Sequence, residues 1–222
     1  MEFITGLKQQ EEAELEDLLK AEGGTTIILE GAVHSIRDMG EIAFVILRKR
    51  EGLIQTVWEE GKTDMELSEI REGDYIHVTG QIKDEERAPH GKEVRLSTIR
   101  HLSHVSCPLP LPIDKWKLNT SLEAKLDRRS LSLRNIRERA RFRIQEGIVR
   151  GFRDFLYEQG FTEIHTPKIG AKSAEGGANM FRLSYFHRPA VLQQSPQLYK
   201  QMMVGVFDRV FETGPVFRAE KH

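Results

Sequence analysis

GAVHSIRDMGEIAFVILRKREGLIQTVW, residues 31–58, decides how the first part of this chain folds. It holds three runs rich in β-branched and aromatic residues: AVHSI, EIAFVIL and LIQTVW. Arg37-Asp38-Met39-Gly40 separates the first two, and Glu51-Gly52 the second and third. Short apolar runs punctuated by Asp and Gly read as strands joined by tight turns.

Working outward, TTIILE extends the first run upstream. Downstream come a short helical piece at DMELSEI and two further β-type runs, YIHVTGQI and EVRLSTI. Three strands, a short helix and two strands is the order of a five-stranded OB barrel, whose sheet face binds single-stranded nucleic acid. An SH3-like barrel is the competing small β fold, and the helix between strands three and four favours OB. Before the barrel, residues 7–22 read as a short amphipathic helix ended by Gly23-Gly24 and carrying no chemistry, an appended arm. After it, SCPLPLPIDKW at 106–116 carries prolines at alternate positions and reads as an extended, stiff boundary.

From Ile136 the apolar period changes. Ile136, Ala140, Ile144, Ile148 and Phe152 recur every four residues, with Phe155 and Leu156 continuing the stripe, which predicts a long amphipathic helix ended by Gly160. FTEIHTP follows as a strand stopped by Pro167, then the loop AKSAEGGANMF, a strand at RLSYF, a helix at QLYKQMMVGVF and a closing strand at RVFETGPVFRAE.

The chain has 222 residues, 30% of them charged, and a net charge of −1, so it is no generic polyanion binder. Lys125–Arg153 holds ten basic residues against three acidic ones, which on charge alone reads as a solvated helix face. The single cysteine, Cys107, excludes a disulfide framework and a cysteine-rich zinc site. No stretch reaches membrane-spanning length, and a reducing cytoplasmic setting fits.

Four groups of residues could carry chemistry. Phe44 and Gln55 fall on the second and third strands, where an aromatic can stack an unpaired base and an amide can bond a base edge. Flanked by Ala43 and Val45, Phe44 reads from spacing as core. The Gly176-Gly177 loop with Glu175 reads equally as a hairpin turn or as a mobile loop closing an acid over a cationic group. Gln197 and Lys200 share a helix face, where a lysine can receive a carboxylate or simply meet solvent. Arg218 and Glu220 share a strand face, as a phosphate-binding pair or as a structural salt bridge.

In order and spacing these strings resemble the class II aminoacyl-tRNA synthetases. The helix through Ile136–Phe155 with GFTEIHTPKI resembles motif 1, Pro167 matching its proline, and ETGPVFRAE resembles the first strand of motif 2. SAEGGANMF and QSPQLYKQM are similar to the aspartyl enzymes of the archaeal and eukaryotic-cytosolic type. LDRRSLSLRN resembles their hinge, and residues 31–58 their anticodon-binding barrel. The resemblance implies an α+β multidomain protein. It has a helical arm at 1–22, an OB-fold anticodon-binding domain at 23–106 and a Pro-rich linker and hinge at 107–133. The N-terminal part of an antiparallel-sheet catalytic domain follows at 134–222.

The implied activity is aspartate–tRNA ligation. Aspartate attacks the α-phosphorus of ATP, pyrophosphate leaves, and the aspartyl group passes to the 3′ end of tRNA(Asp), with tRNA(Asn) as an alternative. Arg218 is implied as the catalytic arginine on the α-phosphate and substrate carboxylate, and Glu220 as the adenosine-side glutamate. Lys200 is implied on the aspartate side chain, and Gln197 and Glu175 at its amino end. A lysine there favours a carboxylate over an amide, because leaving a buried ammonium unpaired costs about 3–5 kcal/mol. Phe44, Gln55, Glu93 and Arg37 are implied in anticodon contact, and motif 1 in a homodimer. The family's Mg2+ carboxylates and its motif 3 are not among these residues. The chain alone is therefore expected to be catalytically incomplete, with uncovered strand edges and apolar surface. The other readings are a standalone anticodon-binding module, an asparaginyl enzyme and a non-discriminating aspartyl enzyme.

Overall fold

The computed structural model describes residues 12–172 and 179–220. The chain forms two compact units, one ending at Arg139 and one starting at Ala140. In the first, α1 (Leu15–Lys20) precedes β1 (Thr26–Asp38), β2 (Ile42–Arg48), β3 (Leu53–Glu59), β4 (Tyr75–Asp84) and β5 (Lys92–Ser103). One turn of 3-10 helix, Leu67–Glu69, stands between β3 and β4 where the short helical piece is expected.

The five strands close into a barrel in the order β1-β2-β3-β5-β4. Neighbours are antiparallel except β3 and β5, which run parallel at Thr56↔Val94 and Val57↔Arg95. That parallel pair is what the excursion through β4 makes possible, and closure leaves no exposed edge. Leu29, Val33, Val45, Leu47, Ile76 and Val78 point inward and are fully buried. The period-2 alternation on β1 and β2 turns the residues between them outward. Gly40, at φ +92°, makes the β1–β2 turn, its N–H donating to Asp38 Oδ1 at 2.8 Å. At Gly80 the β4–β5 register shifts, and a Cβ there would lie 2.3 Å from the Arg95 carbonyl oxygen, so only glycine fits the bulge.

Two expectations need correction in this unit. Residues 12–14 are not helical, and α1 is shorter than 7–22 in its described part, starting where Asp17 accepts the Glu14 N–H. Nor is α1 an appendage. Leu15 and Leu18 belong to the barrel core, and the buried Lys49 ammonium pairs with Glu14 at 3.3 Å. Apolar residues on one helix face found cover at the barrel's end.

The proline stretch lies within the first unit, with Leu111, Ile113 and Leu118 buried. Asn135 holds it down. The buried amide donates to the carbonyls of Ile113 (2.9 Å) and Lys115 (2.6 Å), while its Oδ1 accepts from the N–H groups of Arg137 and Glu138. One side chain thus caps the long helix and clamps the linker. Two short helices lie between, α2 (Leu122–Asp127), capped by Ser121, and α3 (Arg129–Ser132).

The long helix, α4, runs Ile136–Glu158, and Gly160 at φ +76° follows it as expected. Beyond it come β6 (Thr162–Glu163), β7 (Ile169–Gly170), β8 (Arg182–Tyr185), β9 (Arg188–Leu192), α5 (Gln197–Phe207) and β10 (Val210–Phe211). β6 pairs parallel with β10, and β7-β9-β8 form an antiparallel sheet. Phe211 is buried and meets Tyr157 and Phe152 edge-on. The closing strand is shorter than expected, covering only Val210–Phe211 of the RVFETGPVFRAE run. Past Pro215 the chain makes single bonds to two different segments, Phe217 N–H to the Gln193 carbonyl and Ala219 N–H to that of Asn179, and not a ladder. Ile144, Ile148, Phe152 and Phe155 on α4 remain exposed. No helix of the described residues is long and apolar enough to cross a membrane.

Candidate nucleic-acid interface and half-site

The outward face of β2 and β3 carries the first candidate site. Arg37, Phe44, Gln55 and Glu93 line one cleft of about 400 Å³, with Arg87 and Arg95 at its side. The barrel register brings them there, pairing Arg37 with Phe44, Phe44 with Val57, and Ile46 with Gln55. Phe44 is not core. Ala43 and Val45 are fully buried, so the pleat turns Phe44 to the cleft, half-buried. Spacing misled because apolar neighbours on both sides look the same whichever face the middle residue takes.

Glu93 is 2% exposed and lies beneath the cleft floor. Its Oε2 accepts from Gln55 Nε2 at 3.1 Å, and Arg95 stands 2.9 Å from its Oε1. A carboxylate only accepts, so this contact fixes which way the Gln55 amide faces and leaves its carbonyl oxygen for a ligand. Glu93 is thus placed to orient Gln55. Arg95 also donates to Glu59, whose carboxyl is lowered by Lys62 first and then by Arg95. The cleft therefore offers a partly exposed aromatic face, an oriented amide and arginines at its side. Those are the features that stack an unpaired base, bond its edge and meet its phosphate.

Not every basic residue between 125 and 153 is on a solvated helix face. Arg134 and Arg139 line a crevice of about 600 Å³ with Arg48, Lys49 and Arg50. Burial, and then the charges of Arg134 and Arg139, pull Arg48 down to about 10.

The second candidate site hangs on the β9–α5 junction. Gln197 opens α5 and Lys200 sits one turn on, both half-buried. Gln193 and Gln194, which the sequence reading passed over, hold the surroundings together. Gln193 Nε2 donates to the Lys172 carbonyl at 3.0 Å, and Gln194 Nε2 to that of Asn179 at 2.7 Å. Because Phe217 and Ala219 bond to Gln193 and Asn179, the extended segment carrying Arg218 is stitched to the strand that leads into Gln197. Two adjacent amides closing an apolar run were the available signal, since buried amides must be bonded. Arg218 and Glu220 lie 3.8 Å apart and are about half exposed. Glu175 lies outside the described residues.

Deeper in this unit, Glu212 accepts from Thr166 N–H and Oγ1 and from Lys168 Nζ at 2.7 Å. Glu163 accepts from Thr213 Oγ1, Tyr157 Oη and Arg153, which together hold its carboxyl down to about 2. These bonds join the segments that carry β6 and β10. Among the described residues, the groups of three metal-type ligands are Asp74-His101-His104 and Glu12-Glu30-His77, both on the first unit.

Two family models match separate parts of this chain. The family described as OB-fold nucleic acid binding domain matches residues 27–102, and tRNA synthetases class II (D, K and N) matches residues 121–222. The aspartate–tRNA(Asp/Asn) ligase of Archaeoglobus fulgidus is 42% identical over 204 residues, covering 90% of this chain and 47% of that protein. That of Deinococcus radiodurans is 45% identical over 199 residues, covering 90% and 44%. The crystal structure of asparaginyl-tRNA synthetase from Pyrococcus horikoshii with asparaginyl-adenylate superposes with a TM-score of 0.84 at 28% identity, covering 96% of this chain and 50% of that one. The chain spans about half the length of the curated relatives it matches. The chain therefore carries an OB-fold nucleic-acid-binding domain followed by a segment of a class II tRNA synthetase domain of the D, K and N group.

Proposed function

We propose that this chain belongs to an aspartate–tRNA ligase and supplies its anticodon-reading barrel together with part of the aspartate and ATP site. The observation that carries the reading is the convergence of Arg37, Phe44, Gln55 and Glu93 on one cleft of an OB barrel. Phe44 stacks an anticodon base, Gln55 reads a base edge under the control of Glu93, and Arg37 meets the loop backbone. In the second unit Lys200 pairs with the aspartate side chain, and Gln197 and Glu175 hold the amino end. Arg218 holds the substrate carboxylate and the α-phosphate as charge builds there, and Glu220 lies on the adenosine side. Positioning and phosphate-charge stabilisation carry such a reaction, and no covalent enzyme intermediate is needed. ATP is a substrate and Mg2+ accompanies it. The exposed apolar stripe of α4 suits a homodimer contact, and the setting is cytoplasmic.

The relatives named for both tRNAs favour a ligase that serves tRNA(Asp) and tRNA(Asn). Equal affinity for hairpins bearing the two anticodons supports that, and a large preference for one overturns it. For the chemistry, Lys200→Leu in the full-length ligase abolishes aspartate-dependent pyrophosphate exchange. Near-normal exchange in that variant would remove Lys200 from the aspartate site.

A further inference from the structure

Trp116 is 74% exposed, an unusual position for the largest apolar side chain in the linker. Its backbone is not loose. Asn135 clamps the carbonyls of Ile113 and Lys115 on its N-terminal side, and Leu118 is buried just beyond it. The ring is held out in water by a fixed main chain, so little conformational freedom remains to be lost when something covers it. Arg137, in the first turn of α4, lies with its guanidinium carbon 6.0 Å from the ring centroid.

Around Trp116 and Arg137 lies a cleft of about 240 Å³. It shares Ser35, Arg37, Ile46 and Gln55 with the cleft that holds Phe44. The two clefts therefore adjoin, one on the barrel face and the other reaching the linker. Neither Arg37 nor Arg137 makes an ion pair among the described residues, so a cation stands at the join and another at the far end. Two aromatic platforms in adjoining clefts, each with an arginine beside it, are the kind of surface that takes unpaired bases and their phosphates.

We propose that Trp116 and Arg137 form a second stacking site, which takes the base of an RNA nucleotide neighbouring the one held at Phe44. This rests on the RNA-binding reading of the barrel face and extends it onto the linker. The base stacks on the exposed indole face, and Arg137 meets the adjoining phosphate.

The chain contains its own reporter. Of its two tryptophans, Trp58 is 5% exposed and its Nε1 donates to the Met65 carbonyl. Emission that responds to RNA therefore belongs to Trp116. The full chain is titrated with a fluorescein-labelled RNA hairpin carrying the aspartate anticodon, followed by anisotropy. Tryptophan emission is followed in parallel with unlabelled hairpin, and Trp116→Phe isolates the Trp116 component. The expected result is quenching of Trp116 in step with the anisotropy. Trp116→Ala weakens binding roughly five- to tenfold, the low end for one stacked base. Trp116→Phe retains most of the affinity, and the losses in Phe44→Ala and Trp116→Ala add. A hairpin that binds while Trp116 emission and Trp116→Ala affinity stay unchanged overturns the second site and leaves the barrel reading standing. A hairpin that does not bind the unmodified chain overturns both.

Discussion

Phe44 and Val45 are adjacent on β2 and face opposite ways, so truncating each to alanine should produce opposite phenotypes. Val45 is fully buried. Its loss removes about two methylene equivalents at ~0.8 kcal/mol each and leaves a cavity, for a total of about 2–3 kcal/mol of barrel stability. Phe44 is half-buried on the outer face. Its truncation costs well under the ~3–5 kcal/mol of a core phenylalanine, about 1 kcal/mol. It also removes a stacking platform worth about 1–3 kcal/mol, or roughly 5- to 150-fold in affinity. Urea melts measure the first quantity, and anisotropy of a labelled anticodon hairpin at fixed salt measures the second. Fixed salt matters because the phosphate contribution falls steeply as salt rises. Phe44→Ala should shift binding with little change in the melt, and Val45→Ala should do the reverse. If Phe44→Ala instead destabilises as much as Val45→Ala and leaves binding intact, Phe44 is a packing residue and the cleft is not the RNA face.

Two further outcomes follow from the hydrogen-bonded carboxylates Glu93 and Glu163. Glu93→Leu strips Gln55 and Arg95 of a partner, but Arg95 is about a third exposed and keeps Glu59. The loss should be about 1–3 kcal/mol in a urea melt, with discrimination at the base read by Gln55 relaxed; unchanged discrimination would deny Glu93 its orienting role. Glu163, held down to about 2 by Thr213, Tyr157 and Arg153, ionises in the unfolded chain near the ordinary 4.5. A lowered folded value means its stabilisation is complete above about pH 4.5 and disappears as pH falls toward 2. Acid titration by near-UV circular dichroism should show Glu163→Gln less stable at neutral pH and with a flatter acid limb. An identical acid limb in the two proteins would show that Glu163 does not govern it.

The barrel was legible in the sequence because its signals are local. Alternation on each run, Asp38 and Gly40 at a turn, and the helical piece before the fourth run all act within a few residues. The long helix ending at Gly160 was legible for the same reason, its period being carried by α4 itself. The strand expected through Arg218 was not, because a strand needs a partner, and residues 217 and 219 bond to two separate segments.

The sequence by itself determined the order of the five barrel strands, the short helical turn before the fourth and the long helix after the linker. Only the tertiary structure decided which face each residue takes. Phe44 lies outward between two buried neighbours because barrel closure fills the inside with Ala43 and Val45. Glu93 lies under Gln55 because β3 and β5 run parallel, a pairing between segments more than 30 positions apart. The apolar face of α1 became part of the barrel core, and Asn135 joined the linker to α4. Each of these depends on contacts between segments distant in the chain, where the free energy belongs to the pair and neither member announces it alone.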